Sequence, residues 1–478
     1  MSRILIFILL FLSTNLMAMN INQILDYTKK THPLFENSNL NKTINNYQLK
    51  QLKEEKNIIN EFKVSGKSDE TIKFSNFSTD KETNVDVTNE ISKRMLSTGG
   101  DVSLSANYNV TDYKYPKSSS VSSYGLSNRK FHQNYLQLSY SQPLLKNFLG
   151  KIDKLPIKLK EIDSKISQLT ALEIQESFLL ETSYMLLDYL RLKELLKIYA
   201  KRIRIAKNDL QNIENKFRQN IVEKVEVINS RNILNLEMED YENFRMQADA
   251  LWLKIKNILA LKITDIKFNL YDYQKLILPK EFSKKITDLR QIKIYEFKNQ
   301  QYKQSMRAAN NQRLSDLNLE LAYGLSDGAD KYGKSHDFDY ENMAVTLNFK
   351  KQFGVSKNRS QFYIEKLHLA KNQLSKEEEK RKMQAEKAQI LSQYSKLKNR
   401  ILKLNVKQIK LSVLKTKEEL KRFNQSKIDF KDVLNARQEQ QKSSVRYINN
   451  LILFYKLRFA YLAASDQLIK GDINAKIN

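Results

Sequence analysis

The sequence predicts a mainly α-helical protein with a β-barrel portion, built as two copies of one structural plan. Three observations support this prediction. The 478 residues include only ten glycines and five prolines, and two long tracts, 157–278 and 355–470, contain neither. Segments in which apolar and polar residues alternate precede each tract, as strands with one apolar face require. A pattern inside the first tract recurs in the second, from Phe217 to Phe423, at an offset of 423 − 217 = 206 residues.

The first eighteen residues, 1–18, are typical of a secretory signal peptide. Arg3 is followed by an apolar stretch from Ile4 to Leu12 and a small residue, Ala18, where cleavage is expected. The mature chain is therefore expected to begin near Met19, beyond the inner membrane. Because the sequence contains no cysteine, neither disulfides nor a lipidated cysteine can form. Attachment to a membrane would have to come from the fold.

A large excess of basic residues first suggests a polyanionic partner. Lys and Arg number 81 against 54 Asp and Glu, a formal net charge of +27. The lysines are nevertheless spread evenly along the predicted helices and accompanied by glutamates, as in Lys376 to Lys380. This pattern favours solvated helix faces over a nucleic-acid site, and export from the cytoplasm argues further against nucleic acid.

Four segments alternate with a period of two and are predicted as strands in two hairpins, 100–142 and 314–350. Long polar connections, rich in Ser, Gly, Asp, Lys and Tyr, join the strands of each hairpin and fit an extracellular rim. The apolar positions of the four segments are Val102, Leu104, Ala106, Tyr108 and Val110; Leu136, Leu138 and Tyr140; Leu317, Leu319, Leu321, Tyr323 and Leu325; and Met343, Val345, Leu347 and Phe349.

Long helix pairs follow each hairpin, at 143–262 and 351–470. The helix before each internal turn is expected to run about 65 residues, roughly 100 Å, and the one after it about 40 residues, near 60 Å. Such lengths imply coiled-coil or barrel packing. The remaining predicted parts are N-terminal periplasmic helices with a lead-in to the first strand at 19–99, an inter-repeat connector and helix at 263–313, and a C-terminal tail at 471–478.

The repeat is clearest at the turn inside each helix pair. Asn220 tolerates the left-handed conformation that ends a helix, and Ser426 or Asp429 can cap the helix that follows. Residues at equivalent positions, 206 apart, are Phe217 and Phe423, Asn220 and Ser426, Glu223 and Asp429, Glu226 and Asp432, Asn229 and Asn435, and Arg231 and Arg437.

Four strands per chain are too few to close a barrel, and an open sheet edge in hydrocarbon leaves backbone groups unpaired. Several copies would have to share one barrel, and three copies would give twelve strands. The alternative is a small soluble sheet that caps a helical bundle, because positions such as Leu104 and Leu319 would also suit a buried face.

Given these strands, turns and repeat, the sequence resembles the TolC-like family of outer-membrane efflux proteins over nearly the whole mature chain. Gln142-Pro143-Leu144-Leu145 is similar to the family's strand-exit signature, and Phe423 to Arg437 is similar to its aromatic and Asp-Val-Leu turn. Asn20 to Pro33 looks like the family's first mature helix. Departures are Asn220 and Ser426 in place of the turn glycine, and Lys351-Gln352-Phe353 where a proline is usual.

The resemblance implies a homotrimeric channel-tunnel, with a twelve-stranded barrel in the outer membrane and a helical barrel that reaches into the periplasm. It also implies two partners, a periplasmic adaptor protein and an inner-membrane transporter. The expected function is an exit duct of a tripartite efflux or type I secretion system, which conducts solutes passively to the cell exterior.

Within that arrangement the internal turns would form the periplasmic entrance. Glu226 and Asp432 match acidic positions of the family, and three copies of each would make carboxylate rings that favour cations. Polar links that hold the entrance shut are expected from Asn229, Asn435, Arg231 and Arg437. Contacts with the adaptor are expected from Phe217, Asn220, Glu223, Phe423, Ser426 and Asp429. The open alternative is that Glu226 and Asp432 only decorate the first turn of a helix, where the macrodipole favours acids.

The sequence contains no motif that indicates an enzyme, and neither a cofactor nor a metal is expected. The four histidines, His32, His132, His336 and His368, are scattered, with no cysteine to complete a zinc site. Two other hypotheses remain. A periplasmic adaptor would have one helical hairpin between halves of a lipoyl-like domain, and a structural coiled coil of the envelope would have sustained heptads without amphipathic strands. The cargo stays open.

Overall fold

The computed structural model describes residues 19–54, 57–70, 79–115, 129–261, 266–275, 285–351, 353, 356–425 and 427–469. The predicted signal peptide at 1–18, the predicted tail at 471–478, Gln352 and Ser426 lie outside these residues, as does much of the first hairpin loop. The chain forms two compact units. We call them the helical unit, made of Met1–Asn41, Gln168–Ile294 and Lys376–Asn478, and the sheet unit, made of Lys42–Ser167 and Tyr295–Ser375.

Eight α-helices and six strands account for most of the described residues. The helices are α1 Ile21–Thr31, α2 Pro33–Glu54, α3 Leu155–Arg218, α4 Lys224–Leu259, α5 Arg290–Asn311, α6 Ser356–Lys396, α7 Leu402–Asn424 and α8 Phe430–Ala463. The strands are β1 Ile58–Glu70, β2 Lys81–Met95, β3 Gly100–Lys114, β4 Arg129–Pro143, β5 Asp316–Ala329 and β6 Tyr340–Lys350. This combination confirms the prediction of a mainly α-helical protein with a β portion.

The sheet unit contains one antiparallel sheet in the order β1-β2-β3-β4-β5-β6. The four predicted strands are β3 to β6. The sheet has two strands more than the four predicted, because β1 and β2 form an additional hairpin inside the stretch assigned to helices and a lead-in. The alternation of apolar and polar residues did not predict these two strands. Asn60 and Asn89 interrupt the apolar positions, and charged residues occupy many of the remaining positions.

The two faces of the sheet differ sharply in chemistry. Directly opposed residues of an antiparallel pair lie on the same face, and the register places Ile91, Leu104 and Leu138 side by side. This apolar face is exposed: Phe62 on β1 is 68% accessible and Leu347 on β6 is 63% accessible. The opposite face carries Asn, Ser and Thr side chains that bond across strands.

A tight turn joins β2 to β3. Gly99 adopts a φ of +77°, and its N–H donates to the carbonyl of Met95 at 2.7 Å. A Cβ at this position would lie 2.4 Å from the backbone oxygen of Asn147. Glycine is therefore required both by the backbone conformation and by the close approach of the segment that follows β4.

The helical unit contains most of two hairpins, α3–α4 and α6–α7–α8, while the first residues of α3 and α6 belong to the sheet unit. The helix α3 has 64 residues and spans about 96 Å at 1.5 Å per residue. A π-helical turn at Leu397–Ile401 separates α6 from α7, so the second long helix is not uniformly α-helical. None of the described helices is both long and apolar enough to cross a membrane.

Most of the core of the helical unit is one apolar cluster. The N-terminal helix α1, which begins with a capping box between Asn20 and Gln23, contributes Ile21, Ile24 and Leu25. Side chains of α3, α4, α6, α7 and α8 also belong to the cluster, and Phe454 and Tyr455 are its largest fully buried members. The cluster lies away from the hairpin turns, whose contacts form a separate apolar cluster.

Candidate functional site at the hairpin ends

The turns at the ends of the two hairpins are closed by equivalent backbone hydrogen bonds. Asn220 has a φ of +56°, as predicted for the residue that ends a helix. In the first turn the N–H of Ile221 donates to the carbonyl of Lys216 at 2.9 Å, and in the second the N–H of Lys427 donates to that of Arg422 at 3.0 Å. These six-residue closures are typical of helix C-terminal caps, and the two are 206 residues apart. The predicted repeat therefore extends to the hydrogen bonds of the turns.

The helices α4 and α8 also begin alike. Glu223 and Asp429 occupy the N-cap positions, with extended backbones, but neither side chain makes a capping hydrogen bond. Glu226 and Asp432 lie three residues further on, in the first turn. Both acids stand where the positive end of the helix dipole stabilises a negative charge. The geometry is thus compatible with the dipole alternative as well as with a role at an entrance.

A small apolar cluster joins the two hairpin ends. Ile213 of α3 packs with Phe430 and Val433 of α8, and side chains of both turns surround them. The ring of Phe423 lies 5.3 Å from that of Phe430, and the ammonium of Lys216 lies 3.9 Å from the centre of the Phe423 ring. Phe423, predicted as an adaptor contact, is therefore half-buried between the hairpins.

The other residues predicted at the entrance are mostly exposed in the single chain. Asp432, Asn229, Asn435 and Arg231 are exposed, and Glu226 is half-buried. Rings of Glu226 and Asp432 need several copies of the chain and stay a prediction. Of the predicted contact residues, Phe217, Asn220, Glu223 and Asp429 are exposed.

The two predicted arginines have different partners. Arg231 pairs with Glu214 of α3 at 3.0 Å, which is a contact within the first hairpin and at its surface. Arg437, at the equivalent position of the second repeat, reaches across and pairs with Asp209 of α3. Asp209 is only 9% exposed. One of the two equivalent arginines therefore links the hairpins and the other does not.

A second ion pair lies beside this link. Arg202 of α3 pairs with Glu237 of α4, and both pairs line a cavity of about 280 Å³ between α3, α4 and α8. Sequence reasoning missed Asp209, Arg202 and Glu237. A signal was present, because Tyr199, Arg202, Ala206, Asp209 and Ile213 follow the three-and-four spacing of a helix seam, with charged residues at positions that face a partner helix.

Burial dominates the electrostatics of this network. Desolvation, and then the charge of Arg202, lower the pKa of Arg437 to about 10. Desolvation also lowers the pKa of Arg202 and raises that of Glu237, in spite of their mutual attraction. All three shifts oppose the charged form. Such charges are stable in a helix seam only while each keeps its partner, so the network is sensitive to any movement of one hairpin against the other.

One cluster of carboxylates has the spacing of a metal site, but an arginine occupies it. Oxygens of Glu173, Glu176 and Asp466 lie within 4.8 Å of one another. Arg290, which is 8% exposed, donates from Nε to Glu173 at 2.6 Å and from its backbone N–H to Asp466 at 2.9 Å. Its guanidinium also contacts Glu176. The cluster is therefore an ion-pair clasp inside the helical unit.

Known structures share this architecture over almost their full length. CusC, described as forming a transmembrane channel, aligns with a TM-score of 0.68 and 10% identity, over 93% of this chain and 92% of its own. The outer membrane protein VceC of Vibrio cholerae aligns at 0.66 with 9% identity, over 94% and 96%. The MtrE outer membrane channel of Neisseria gonorrhoeae, in its open state, aligns at 0.66 with 11% identity, over 95% and 90%.

The chain has the fold of the outer-membrane channels. The predicted resemblance to TolC-like channels is thereby confirmed at the level of the fold. No protein-family model matches the sequence. No curated protein matches it by sequence either. CusC and MtrE are described as channels and VceC as an outer membrane protein, and at such low identity they establish architecture alone.

Proposed function

We propose that this protein is an exit duct of the outer membrane, which conducts solutes passively from a periplasmic pump to the cell exterior. The observation that carries the proposal is the exposed apolar face of the sheet. Leu347 and Met343 are among its exposed residues, and an apolar surface of this width is unfavourable in contact with water. A lipid bilayer would cover it. The polar face would then line an aqueous lumen.

Element lengths fit this assignment. Strands of a membrane barrel need about 9–11 residues to cross the bilayer, and β1 to β6 have between 11 and 15. The helix α3, at about 96 Å, is far longer than a globular core requires. Long helices that continue a membrane barrel would carry the duct into the periplasm.

The oligomer and the partners follow from the same proposal. A sheet with two open edges has to close with other copies of the chain in a membrane, and a homotrimer is the arrangement implied by the family resemblance. A periplasmic adaptor would contact the exposed parts of the hairpin ends, such as Phe217 and Asp429. The energy would come from an inner-membrane transporter, because the duct itself is proposed to have no catalytic activity.

Neither alternative function accounts for the same features. A periplasmic adaptor is expected to have a single helical hairpin, and this chain has two. A structural coiled coil would not need a sheet with one apolar and one polar face. We therefore keep the duct as the one proposed function.

At the periplasmic end we propose that the Arg437–Asp209 pair holds the two hairpins together in a closed entrance. Opening would separate the hairpins and convert one discrete packing into another. Three copies of Asp432 and Glu226 would line the aperture and attract cations. The buried position of Asp209 supports the first part, and the placement of both acids beside the turns supports the second.

Paired charge substitutions on one strand test the membrane assignment. Leu347→Lys places a charge on the apolar face, where it is expected to cost about 2–4 kcal/mol near the middle of the bilayer. Thr346→Lys, one residue away on the polar face, is the matched control. We expect heat-resistant trimers in outer-membrane fractions for the native chain and the control but much less for Leu347→Lys. Equal yields of both variants, or a water-soluble native monomer, would overturn the proposal.

A further inference from the structure

The additional hairpin raises the question of which strands form the barrel wall. On the basis of the proposed function, we infer that every subunit contributes all six strands. The free edge of β1 then pairs with β6 of a second copy, and a trimer closes as an eighteen-stranded barrel rather than the twelve-stranded one that the family resemblance implies.

First, β1 and β2 are as fully paired as the other strands. Each residue of β1 from Ile58 to Glu70 has a partner on β2, and each residue of β2 from Lys81 to Met95 has a partner on β3. A twelve-stranded barrel would need the edge of β3 for the next subunit. It would therefore have to strip the whole 15-residue strand β2 from its neighbour.

Second, the apolar face extends onto the additional hairpin, where Asn60 and Asn89 are polar exceptions. The register places Val64 of β1 beside Val87 of β2 and Tyr108 of β3 on one face. Phe62 and Val64 are 68% and 58% exposed, like the apolar residues of β6. If the hairpin stood in the periplasm as a lead-in, this apolar surface would face water.

Third, the polar face continues as well. The amide of Asn107 on β3 donates to Thr88 Oγ1 on β2 at 2.8 Å, and that of Asn109 donates to Asn84 Oδ1 at 2.8 Å. These bonds tie β2 into the hydrophilic face of β3. A strand with lipid on one side and the lumen on the other needs this division.

Fourth, the two open edges match each other. All residues of β1 and of β6 are exposed, over lengths of 13 and 11 residues, and neither outer edge has a partner strand among the described residues. In an antiparallel sheet the first and sixth strands run in opposite directions. The edge of β1 in one copy can therefore continue the antiparallel ladder at β6 of the next, which leaves no unpaired backbone in the bilayer.

The consequence for the duct is a wider lumen. Barrel diameter grows roughly linearly with strand number, so eighteen strands give about 1.5 times the diameter of twelve. Barrels of 16–18 strands are wide enough for an open aqueous channel. The outer-membrane part would then offer little resistance to bulky solutes, and any selection would rest on the periplasmic end.

Because the sequence contains no cysteine, disulfide trapping can identify the contact strand directly. Ser65→Cys on β1 is combined in turn with Asn342→Cys, Ala344→Cys and Thr346→Cys, all on the polar face of β6. Ser105→Cys on β3, with the same partners, reports the twelve-stranded alternative. Thr88→Cys with Asn107→Cys, within one chain, shows that the oxidant reaches the sheet.

We expect oxidation of outer-membrane fractions to join chains into dimers and trimers for at least one Ser65 pair and for none of the Ser105 pairs. Joining through Ser105 alone, or through neither strand while the internal pair forms, would overturn the inference. Electron microscopy of the unmodified detergent-extracted oligomer gives a second measurement, since eighteen strands are expected and twelve would refute it. Failure of the chain to reach the outer membrane would instead refute the proposed function.

Discussion

Arg437→Leu is expected to loosen the periplasmic end, and the structure sets the size of the effect. Burial, together with the charge of Arg202, lowers the pKa of Arg437 to about 10, which corresponds to about 3 kcal/mol against its charged form. Asp209 offsets that cost. Removal of one partner leaves the other charge buried alone, which costs about 3–5 kcal/mol.

Three variants separate these contributions. We expect Arg437→Leu and Asp209→Leu each to lower the free energy of unfolding of the detergent-solubilised protein by about 3–5 kcal/mol, because each leaves an unpaired charge in the helix seam. The double variant is expected to return to within about 1 kcal/mol of the native chain, since two leucines fill the seam without charge. The matched control is Arg231→Leu, at the equivalent exposed position, where the loss should stay below about 1 kcal/mol.

Single-channel recording in planar bilayers measures the functional effect. If the pair forms only in the closed entrance, its loss shifts the equilibrium toward the open state by roughly a hundredfold or more. Open probability should rise for Arg437→Leu and stay unchanged for Arg231→Leu. Equal behaviour of the two arginine variants, or a double variant as unstable as the singles, would refute the reasoning.

Three further predictions concern other parts of the chain. Replacing Asp432 and Glu226 with Ala should raise single-channel conductance; unchanged conductance would remove both acids from the aperture. Burial raises the pKa of Glu237 above its unfolded value of about 4.5. As the pH rises from about 4.5 through the folded pKa, the free energy of unfolding of the native chain should therefore fall relative to that of Glu237→Gln. Parallel pH dependence of denaturation in the two proteins would contradict this. Gly99→Ala should lower the melting temperature of the trimer, because φ is positive at this position and the new Cβ would collide with a backbone oxygen. Gly66→Ala is the control and should be tolerated, since nothing lies within 4 Å of its Cβ position. Equal melting temperatures of the two variants would count against the turn argument.

Much of the fold could be predicted from the sequence because its signals are local. Helices without Gly or Pro and strands such as β6, where Met343, Val345, Leu347 and Phe349 alternate without interruption, carry their period in neighbouring residues. The hairpin of β1 and β2 lacks such a period, because Asn60 and Asn89 interrupt its apolar positions. Gly99-Gly100 between β2 and β3 was the remaining signal of a tight hairpin, and it was not used.

The hairpin-end site was only half predictable for a different reason. The repeat identified Arg231 and Arg437 as equivalent, and their side chains do lie at equivalent positions of α4 and α8. Their partners are on α3, more than two hundred residues before Arg437, and no local pattern connects them. Only the packing of the second hairpin against the first reveals which arginine is buried. Asymmetry between repeats is therefore the part of the site that sequence alone leaves open.

The clasp around Arg290 has a consequence for biogenesis. Its carboxylates come from the early part of α3 and from Asp466, beyond the end of α8, where the N–H of Leu468 also donates to Glu176 at 2.8 Å. In an export that starts at the N-terminus, as the proposed function requires, α3 and Arg290 would emerge well before the segment that carries Asp466. The complete set of Arg290 contacts can therefore form only after the last residues of the helical unit have emerged.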